Sequence, residues 1–301
     1  MNNDTFFAAF IMTYNRVSIL EDTIKKIFSQ SYPPHKVIII DNDYNFSAKE
    51  IQNKYPEYNI SYHPIGYNSG PAGAAIVGLE ILVNEGYQWI AWMDDDDPPI
   101  FENTFEILLN MASSNEKCGC VGVVGHFFNR RTGFMKRVPD YMLQTNGILE
   151  VDTIAGGMYK IVSGKMIREC NIKPDIKLFF GFEELDFDIQ IKEANYKLLV
   201  DRAFYWKHRV HFNRVILPKK ALNLKSDAAL VREYFSIRNI FYLTAKNKLY
   251  TAFIYIFCYH FFKQLLRLKK NIRSGLKGFK IFFLAFFHFL TGKMGYRKVE
   301  I

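Results

Sequence analysis

Four consecutive carboxylates, Asp94 to Asp97 in WMDDDDPP, stand directly behind an apolar, Trp-rich stretch that reads as a buried strand. Hard carboxylate oxygens without thiolate neighbours select Mg2+ or Mn2+, usually shared with substrate phosphates. The competing reading is a solvated acidic turn, in which screening keeps the repulsion small. Four acids behind such a strand are not usual turn composition; Asp97, ahead of Pro98 and Pro99, is the member best suited to a turn or cap. Arg16 in TYNR is a candidate partner for a phosphate or a base, and Asp41 in IIIDN is a candidate acceptor for hydrogen bonds from a base or ribose. Together these groups point to a nucleoside diphosphate compound as ligand.

The elements that must position them follow from periodicity. FFAAFIMTY (6 to 14) is a continuous apolar run of strand length, and SILEDTIKKIFSQS (18 to 31) places Ile19, Leu20, Ile24 and Ile27 at helical spacing, with Ser18 as its expected N-cap and Glu21 three residues on. KVIIIDN, SAKEIQNKY, NISYHP, AGAAIVGLEILVNEG and YQWIAWM continue a strand and helix alternation, which predicts an α/β fold with a mostly parallel, doubly wound sheet. Ligands of such sheets sit beyond the carboxyl ends of the strands. Thr13 to Arg16, Asp41 with Asn42, and Asp94 to Asp97 all fall there. No G-x-G-x-x-G follows a strand, NSGPAGA (68 to 74) has the wrong spacing, and no Walker lysine is present, which disfavours a dehydrogenase or P-loop enzyme.

Composition sets the frame. The 301 residues, 49% hydrophobic and 16% aromatic, can bury one large core plus a smaller appendage. Cys118, Cys120, Cys170 and Cys258 have neither zinc spacing nor the number for a disulfide framework, which fits a reducing compartment. The opening MNNDTFFAAFIMTYNR lacks a basic n-region and a cleavage site, so it is expected to be a first strand of a cytoplasmic protein. Residues 246 to 301 carry twelve Lys and Arg against one acid; the chain as a whole is +9, so the preceding 245 residues are slightly acidic and the basicity belongs to the tail.

FIMTYNR, IIIDN, NSGPAGA, WMDDDDPP and LFFGFEELDF, in that order, resemble family 2 glycosyltransferases of the GT-A fold, most similar to the bacterial rhamnosyltransferase and galactofuranosyltransferase branch. YFSIRN (234 to 239) resembles a Tyr-Tyr-x-x-Arg-Asn segment of that branch, and the likeness covers roughly residues 6 to 245. It implies that Thr13, Asn15, Arg16, Asp41, Asn42, Asp94 and Asp95 contact the nucleotide, and that Asp94 and Asp96 form a D-x-D that binds the metal. It also implies an acidic base at Glu184, where the family usually has Asp; Glu183 and Glu184 both stand as candidates. Gln190 is a second departure, since relatives often carry Arg there. For Asp186 and Asp188 the expected role is only to favour the helix dipole. YWKHRVHFN (205 to 213) is expected to be a strand or loop, with His208, better placed than His211, completing the metal shell. Gly156 and Gly157 would let the backbone approach donor sugar or acceptor, with Trp92 nearby.

The expected organisation is a catalytic domain over 1–245, with a nucleotide-binding half 1–100 and an acceptor and base half 101–245, followed by a basic, aromatic helical extension over 246–301. LYTAFIYIFCYHFF and FKIFFLAFFHFL are shorter than the roughly 20 residues a spanning helix needs, so with Lys263, Arg267, Lys269, Lys270, Arg273, Lys277 and Lys280 they read as helices lying in a membrane interface. The competing reading packs them on the catalytic body or on another subunit. Nucleic acid is disfavoured, because the aromatics cluster in apolar runs.

The resulting expectation is an inverting, metal-dependent transferase using Mn2+ or Mg2+. It would move galactofuranose, galactose, rhamnose or a similar hexose from a nucleotide-sugar donor, UDP-linked, to a lipid-linked oligosaccharide of a bacterial surface polysaccharide such as O-antigen or capsule. It would lie peripherally on the inner face of the plasma membrane, and a second copy of the chain counts among its candidate partners. The alternatives are a sugar nucleotidyltransferase, which would carry a Gly-rich, Lys/Arg-bearing loop that TYNRVSIL lacks, and a non-catalytic membrane-docked scaffold, which would show no donor hydrolysis.

Overall fold

The computed structural model describes residues 6–155, 159–215 and 226–299. The expected alternation is present: β1 (Phe7–Thr13), α1 (Val17–Phe28), β2 (Val37–Asp41), α2 (Ile51–Lys54), β3 (Ile60–Pro64), α3 (Gly70–Asn84) and β4 (Trp89–Asp94). Every residue of β1 and β2 is buried, as continuous apolar runs covered on both faces should be. Two local details differ from expectation. The first helix begins at Val17, and Arg16 caps it without a side-chain hydrogen bond, so Ser18 lies inside the helix. The second helix is a single turn.

The chain continues through α4 (Thr104–Ser113), β5 (Cys118–Val121), β6 (Gly125–Asn129), β7 (Phe134–Arg137), α5 (Asp140–Leu143), β8 (Ile148–Val151), β9 (Thr153–Ile154), β10 (Lys160–Ser163), α6 (Gly164–Cys170), a 3-10 turn at Ile176–Leu178, α7 (Glu183–Glu193), β11 (Lys197–Asp201) and α8 (Arg202–His211). The main sheet has the order β3-β2-β1-β4-β10-β5-β11-β8, with β7-β6-β9 forming a smaller one. β1, β2, β3 and β4 are parallel, whereas β10 runs antiparallel between β4 and β5. The order reverses at β1 and β4, the switch point at which such sheets bind ligands. Gly78 lets α3 lie close against β1: a Cβ there would fall 2.4 Å from the Phe10 ring.

Two compact units divide the chain. The first takes residues up to Phe127, Arg137–Ile176 and Glu184–Val215. The second takes Phe128–Lys136, Lys177–Glu183 and the described residues beyond 225, which fold as α9 (Asp227–Lys246), α10 (Tyr250–Lys270) and α11 (Ile272–Leu290). α9 packs with α10 and α11 through Phe241, whose ring meets those of Phe253, Phe282, Phe286 and Phe289. The boundary expected at 245/246 therefore falls at the end of a helix that belongs with the tail. Among the described residues no helix is long and apolar enough to cross a membrane.

Within this second unit, Glu233 of α9 accepts from Lys263 Nζ at 2.9 Å and Arg267 Nη1 at 3.0 Å. Burial alone would raise its pKa, but Lys263 and Arg267 hold it down at about 2. Two of the cations expected to face a membrane thus serve to join α9 to α10.

Candidate functional site

Parallel pairing brings the strand-end residues level. Thr13 is in register with Asp41, and Met12 with Asp94. Beyond β1 the chain turns through Tyr14, Asn15 and Arg16, all exposed, with Asn15 in the left-handed region at φ 54°, which Asn adopts more readily than most residues. Arg16 Nη1 donates to Asp95 Oδ1 at 3.1 Å and to Asp96 Oδ2 at 2.5 Å. Arg16 thereby compensates two of the four carboxylates, Asp95 and Asp96.

Each acid of the run has its own surroundings. Asp95 is buried: Thr13 Oγ1 donates to its Oδ2 at 2.8 Å and Thr23 Oγ1 to its carbonyl oxygen at 2.6 Å. It ties β1, α1 and the end of β4 together. Asp96 is exposed, with Arg16 as neighbour. Asp94 is partly exposed, yet poor access to water and then Glu184 push its pKa up to about 7. Asp97 is pushed up to about 6 by burial and then Asp96, with Arg214 pulling the other way.

Asp41 is fully buried, and its carboxylate accepts from Asp43 N (2.8 Å), Ala48 N (3.2 Å) and Tyr62 OH (3.0 Å). Asn42 is buried as well; its Oδ1 accepts from Ser69 N and Oγ, and its Nδ2 donates to Gly70 O. Both residues expected at the nucleotide are thus engaged in fixing the loop after β2 and the start of α3. Asp43 was missed by the sequence reading. It is buried, its Oδ1 accepts from Asn45 N, and its Oδ2 has no partner among the described residues. Its signal was present: an acid two positions past the strand end has no reason to be buried unless something pairs with it.

Glu183 and Glu184 are the first two residues of α7. Glu183 is buried, whereas Glu184 is partly exposed. Leu185, Ile189 and Ile191 are buried. Asp188 does more than favour a helix dipole: it is fully buried, 2.5 Å from Lys160 Nζ, and also accepts from Thr153 Oγ1 and Ile154 N at 2.8 Å. Asp186 accepts from Gln190, which also reaches Lys173 O. Lys160 is a second residue the sequence reading missed, although a lone cation in a buried strand must have a partner. Burial pulls its pKa down, but Asp188 more than restores it, so it stays charged.

Trp92 is 1% exposed and packed against Phe187 (5.5 Å, edge-on) and the Lys160 ammonium (5.4 Å). It is a core residue, which corrects its expected place at donor or acceptor; β4 turns its side chain inward. Gly156 and Gly157 lie outside the described residues. YWKHRVH is helical in α8, with Phe212 as its C-cap, not strand or loop. His208 is buried against Tyr159 and Phe212, neither ring nitrogen has a partner among the described residues, and burial, then Arg214, lowers its pKa to about 4. It is neutral at pH 7, the form that ligates a metal. His211 is exposed beside Phe101.

No three Asp, Glu, His or Cys side chains among the described residues form a ready-made metal cage. Asp94, partly exposed, and Asp96, exposed, nonetheless offer hard oxygens that suit a cation drawing its remaining ligands from substrate phosphates, and His208 is a buried imidazole in its neutral form with no partner among the described residues.

The model described as glycosyl transferase family 2 matches residues 8–168, over half the chain. Galactofuranosyltransferase GlfT1 of Mycolicibacterium smegmatis (strain ATCC 700084 / mc(2)155) is 23% identical over 197 residues, which span 62% of this chain and 65% of that one. GalNAc-T7, solved with UDP, GalNAc and Mn2+, superposes at a TM-score of 0.54 with 16% identity over 67% of this chain and 43% of its own. Mannosyltransferase PcManGT from Pyrobaculum calidifontis, in complex with GDP-Man and Mn2+, gives 0.53 with 11% identity over 96% of this chain and 79% of its own. The shared fold is GT-A, and the chain spans less than two thirds of the first two of these relatives.

Proposed function

The chain belongs to glycosyl transferase family 2, and on that premise we propose that it is an inverting, metal-dependent transferase that moves a hexose from a UDP-linked donor to a lipid-linked glycan. The observation that carries the reading is the convergence at the switch point of the sheet, where Thr13 donates to Asp95 and Arg16 to Asp95 and Asp96 at the end of β4, beside two carboxylates, Asp94 and Glu184, the second of which helps raise the pKa of the first. One would hold the diphosphate end of the donor and the other the acceptor.

Asp94, Asp96 and His208 would hold Mn2+ or Mg2+, whose chemistry when bound is to neutralise the departing diphosphate. Thr13 and Arg16, which donate to Asp95 and Asp96, and Asn15 in the turn between them bind the nucleotide, with Arg16 exchanging its carboxylate partners for phosphate oxygens. Asp95 acts from beneath by fixing Thr13 and Arg16, and Asp43 offers its Oδ2, which has no partner among the described residues, to a nucleoside hydroxyl or base N–H. Glu184, the more exposed of the pair, takes the proton of the acceptor hydroxyl as that oxygen bonds to the anomeric carbon. The bond from that carbon to phosphate breaks, and the nucleoside diphosphate leaves with the electron pair. A single displacement inverts the anomeric centre.

The exposed apolar residues of α10 and α11, among them Phe262, Leu266, Ile272, Leu276 and Phe283, alternate with exposed Lys269, Arg273 and Lys280. That combination supports docking on an anionic membrane surface, where a lipid-linked acceptor resides.

The test is a panel of UDP-hexoses, UDP-galactofuranose first in view of the mycobacterial relative, assayed for Mn2+- or Mg2+-dependent transfer and hydrolysis. Glu184→Gln should retain donor binding and lose about 10²–10⁴-fold in kcat. Full turnover in that variant, with the loss appearing in Glu183→Gln, moves the base by one residue; turnover in both rejects the assignment.

A further inference from the structure

We infer that Asn239 and Arg238 of α9, with the segment 293–296 that follows α11, form a positioning clamp on the loop leading into Glu183 and Glu184. The inference rests on the reading of Glu184 as the base. The loop holds three left-handed residues in four, Phe179 (φ 45°), Gly181 (φ 83°) and Phe182 (φ 73°). For the two phenylalanines such conformations cost about 1–3 kcal/mol each and persist only where the surroundings over-determine them.

Asn239, fully buried, does so with one side chain. Its Nδ2 donates to the carbonyl oxygens of Leu178 (2.5 Å), Phe180 (3.0 Å) and Gly181 (2.9 Å). Three carbonyls within four residues are thereby gathered at a single amide, whose two N–H donors are shared among them. Its Oδ1 accepts from Nε and Nη2 of Arg238, both at 3.1 Å, which fixes the amide's orientation.

Arg238, also fully buried, extends the network to the segment after α11. Its Nη1 donates to Gly295 O at 2.8 Å and to Lys293 O at 3.4 Å. Gly295 N in turn donates to Lys177 O at 2.9 Å. The Tyr296 ring lies 5.2 Å from that of Phe179, which also meets Phe235 of α9 at 5.5 Å. The loop is therefore held by α9 on its carbonyls and by residues 293–296 at its entrance and on its aromatic side chain. An Arg guanidinium buried with no carboxylate partner among the described residues, spent on one side-chain amide oxygen, main-chain carbonyls and the Tyr234 hydroxyl, is a costly arrangement to maintain for packing alone. The loop it serves runs straight into the first turn of α7, where a general base depends on position before pKa.

Four full-length proteins test this: wild type, Asn239→Ala, Tyr296→Ala and Tyr296→Phe. Backbone hydrogen exchange of residues 177–183 reads the loop, and steady-state kinetics reads Glu184. In Asn239→Ala and Tyr296→Ala, exchange of the loop should rise at least about 10-fold, and kcat should fall about 10–10²-fold with donor KM within about twofold, as for a reacting group displaced by about 1 Å. Tyr296→Phe, which keeps the ring on Phe179, should restore both. Adding Asn239→Ala to Glu184→Gln should cost little more, because the two act through one group. Loop exchange unchanged in both alanine variants overturns the clamp. Faster exchange with unchanged kcat overturns its positioning role. If Glu184→Gln is itself fully active, the base reading has failed, while hydrogen exchange still decides whether the loop is clamped. Should Asn239→Ala not fold, Tyr296→Ala, a change at an exposed ring, carries the same two readouts.

Discussion

Removing the charge of Lys160 while keeping its length, as Lys160→Met, isolates what holds α7 in place. The ammonium and the Asp188 carboxylate are both 0% exposed and 2.5 Å apart, and the variant leaves Asp188 with only Thr153 Oγ1 and Ile154 N as donors. Breaking one side of a buried pair costs about 3–5 kcal/mol, because the remaining charge is uncompensated. At about 2–4 °C per kcal/mol for a domain of this size, the melting temperature should drop by about 6–20 °C. The stranded Asp188 would have a folded pKa above its unfolded value of about 3.9, so its neutral form stabilises the fold at low pH and the deficit should shrink as pH falls through that range. Lys160→Met/Asp188→Leu should recover most of the loss, leaving the unmade bonds of Thr153 and Ile154 at about 1–3 kcal/mol. Denaturant unfolding of the three variants at pH 7 and pH 4 is the assay. A single variant within about 1 kcal/mol of wild type, or a double variant showing the sum of both single losses, would refute the account.

Within the acidic run, Asp96→Ala should lower metal-stimulated turnover by about 10²-fold or more, the loss of several kcal/mol of charge stabilisation, whereas Asp97→Ala should be mild; kinetics at varied Mn2+ separates them, and equal tolerance removes Asp96 from the metal site. Glu233, held near pKa 2, contributes stability that is complete above its unfolded pKa and lost as pH falls from about 4.5 toward 2. Acid titration followed by circular dichroism should show that loss in wild type and not in Glu233→Gln, which should instead be weaker at pH 7. Reversing Lys269, Arg273 and Lys280 to Glu should weaken binding to anionic vesicles by at least about 10²-fold, at roughly 1 kcal/mol per basic residue, and leave donor hydrolysis intact; no preference of the wild type for anionic over neutral vesicles removes the docking surface. Lys263 and Arg267 are excluded from that design, since reversing them would break the joint with Glu233.

The sequence by itself determined the alternation of β1 to β4 with their helices, because strands covered on both faces must be apolar throughout and helices covered on one face must repeat every three to four residues. It also placed Thr13, Arg16, Asp41 and the acidic run at the strand ends, since that requires only the direction of each strand. Those patterns are local. Only the tertiary structure decided which of these groups is open: Asp41 and Asn42 are engaged by Ala48, Tyr62, Ser69 and Gly70, and Asp95 by Thr13 and Thr23. It decided that Asp188 answers Lys160, 28 residues away, and that Lys263 and Arg267 answer Glu233, 30 and 34 residues away. It likewise made a helix of FYWKHRVH, whose buried side, Phe204, Tyr205, His208 and Arg209, mixes polar and aromatic residues too evenly to show a period. A charge declares its need for a partner in the sequence, but burial and pairing are properties of two distant segments at once, and only folding brings those segments together.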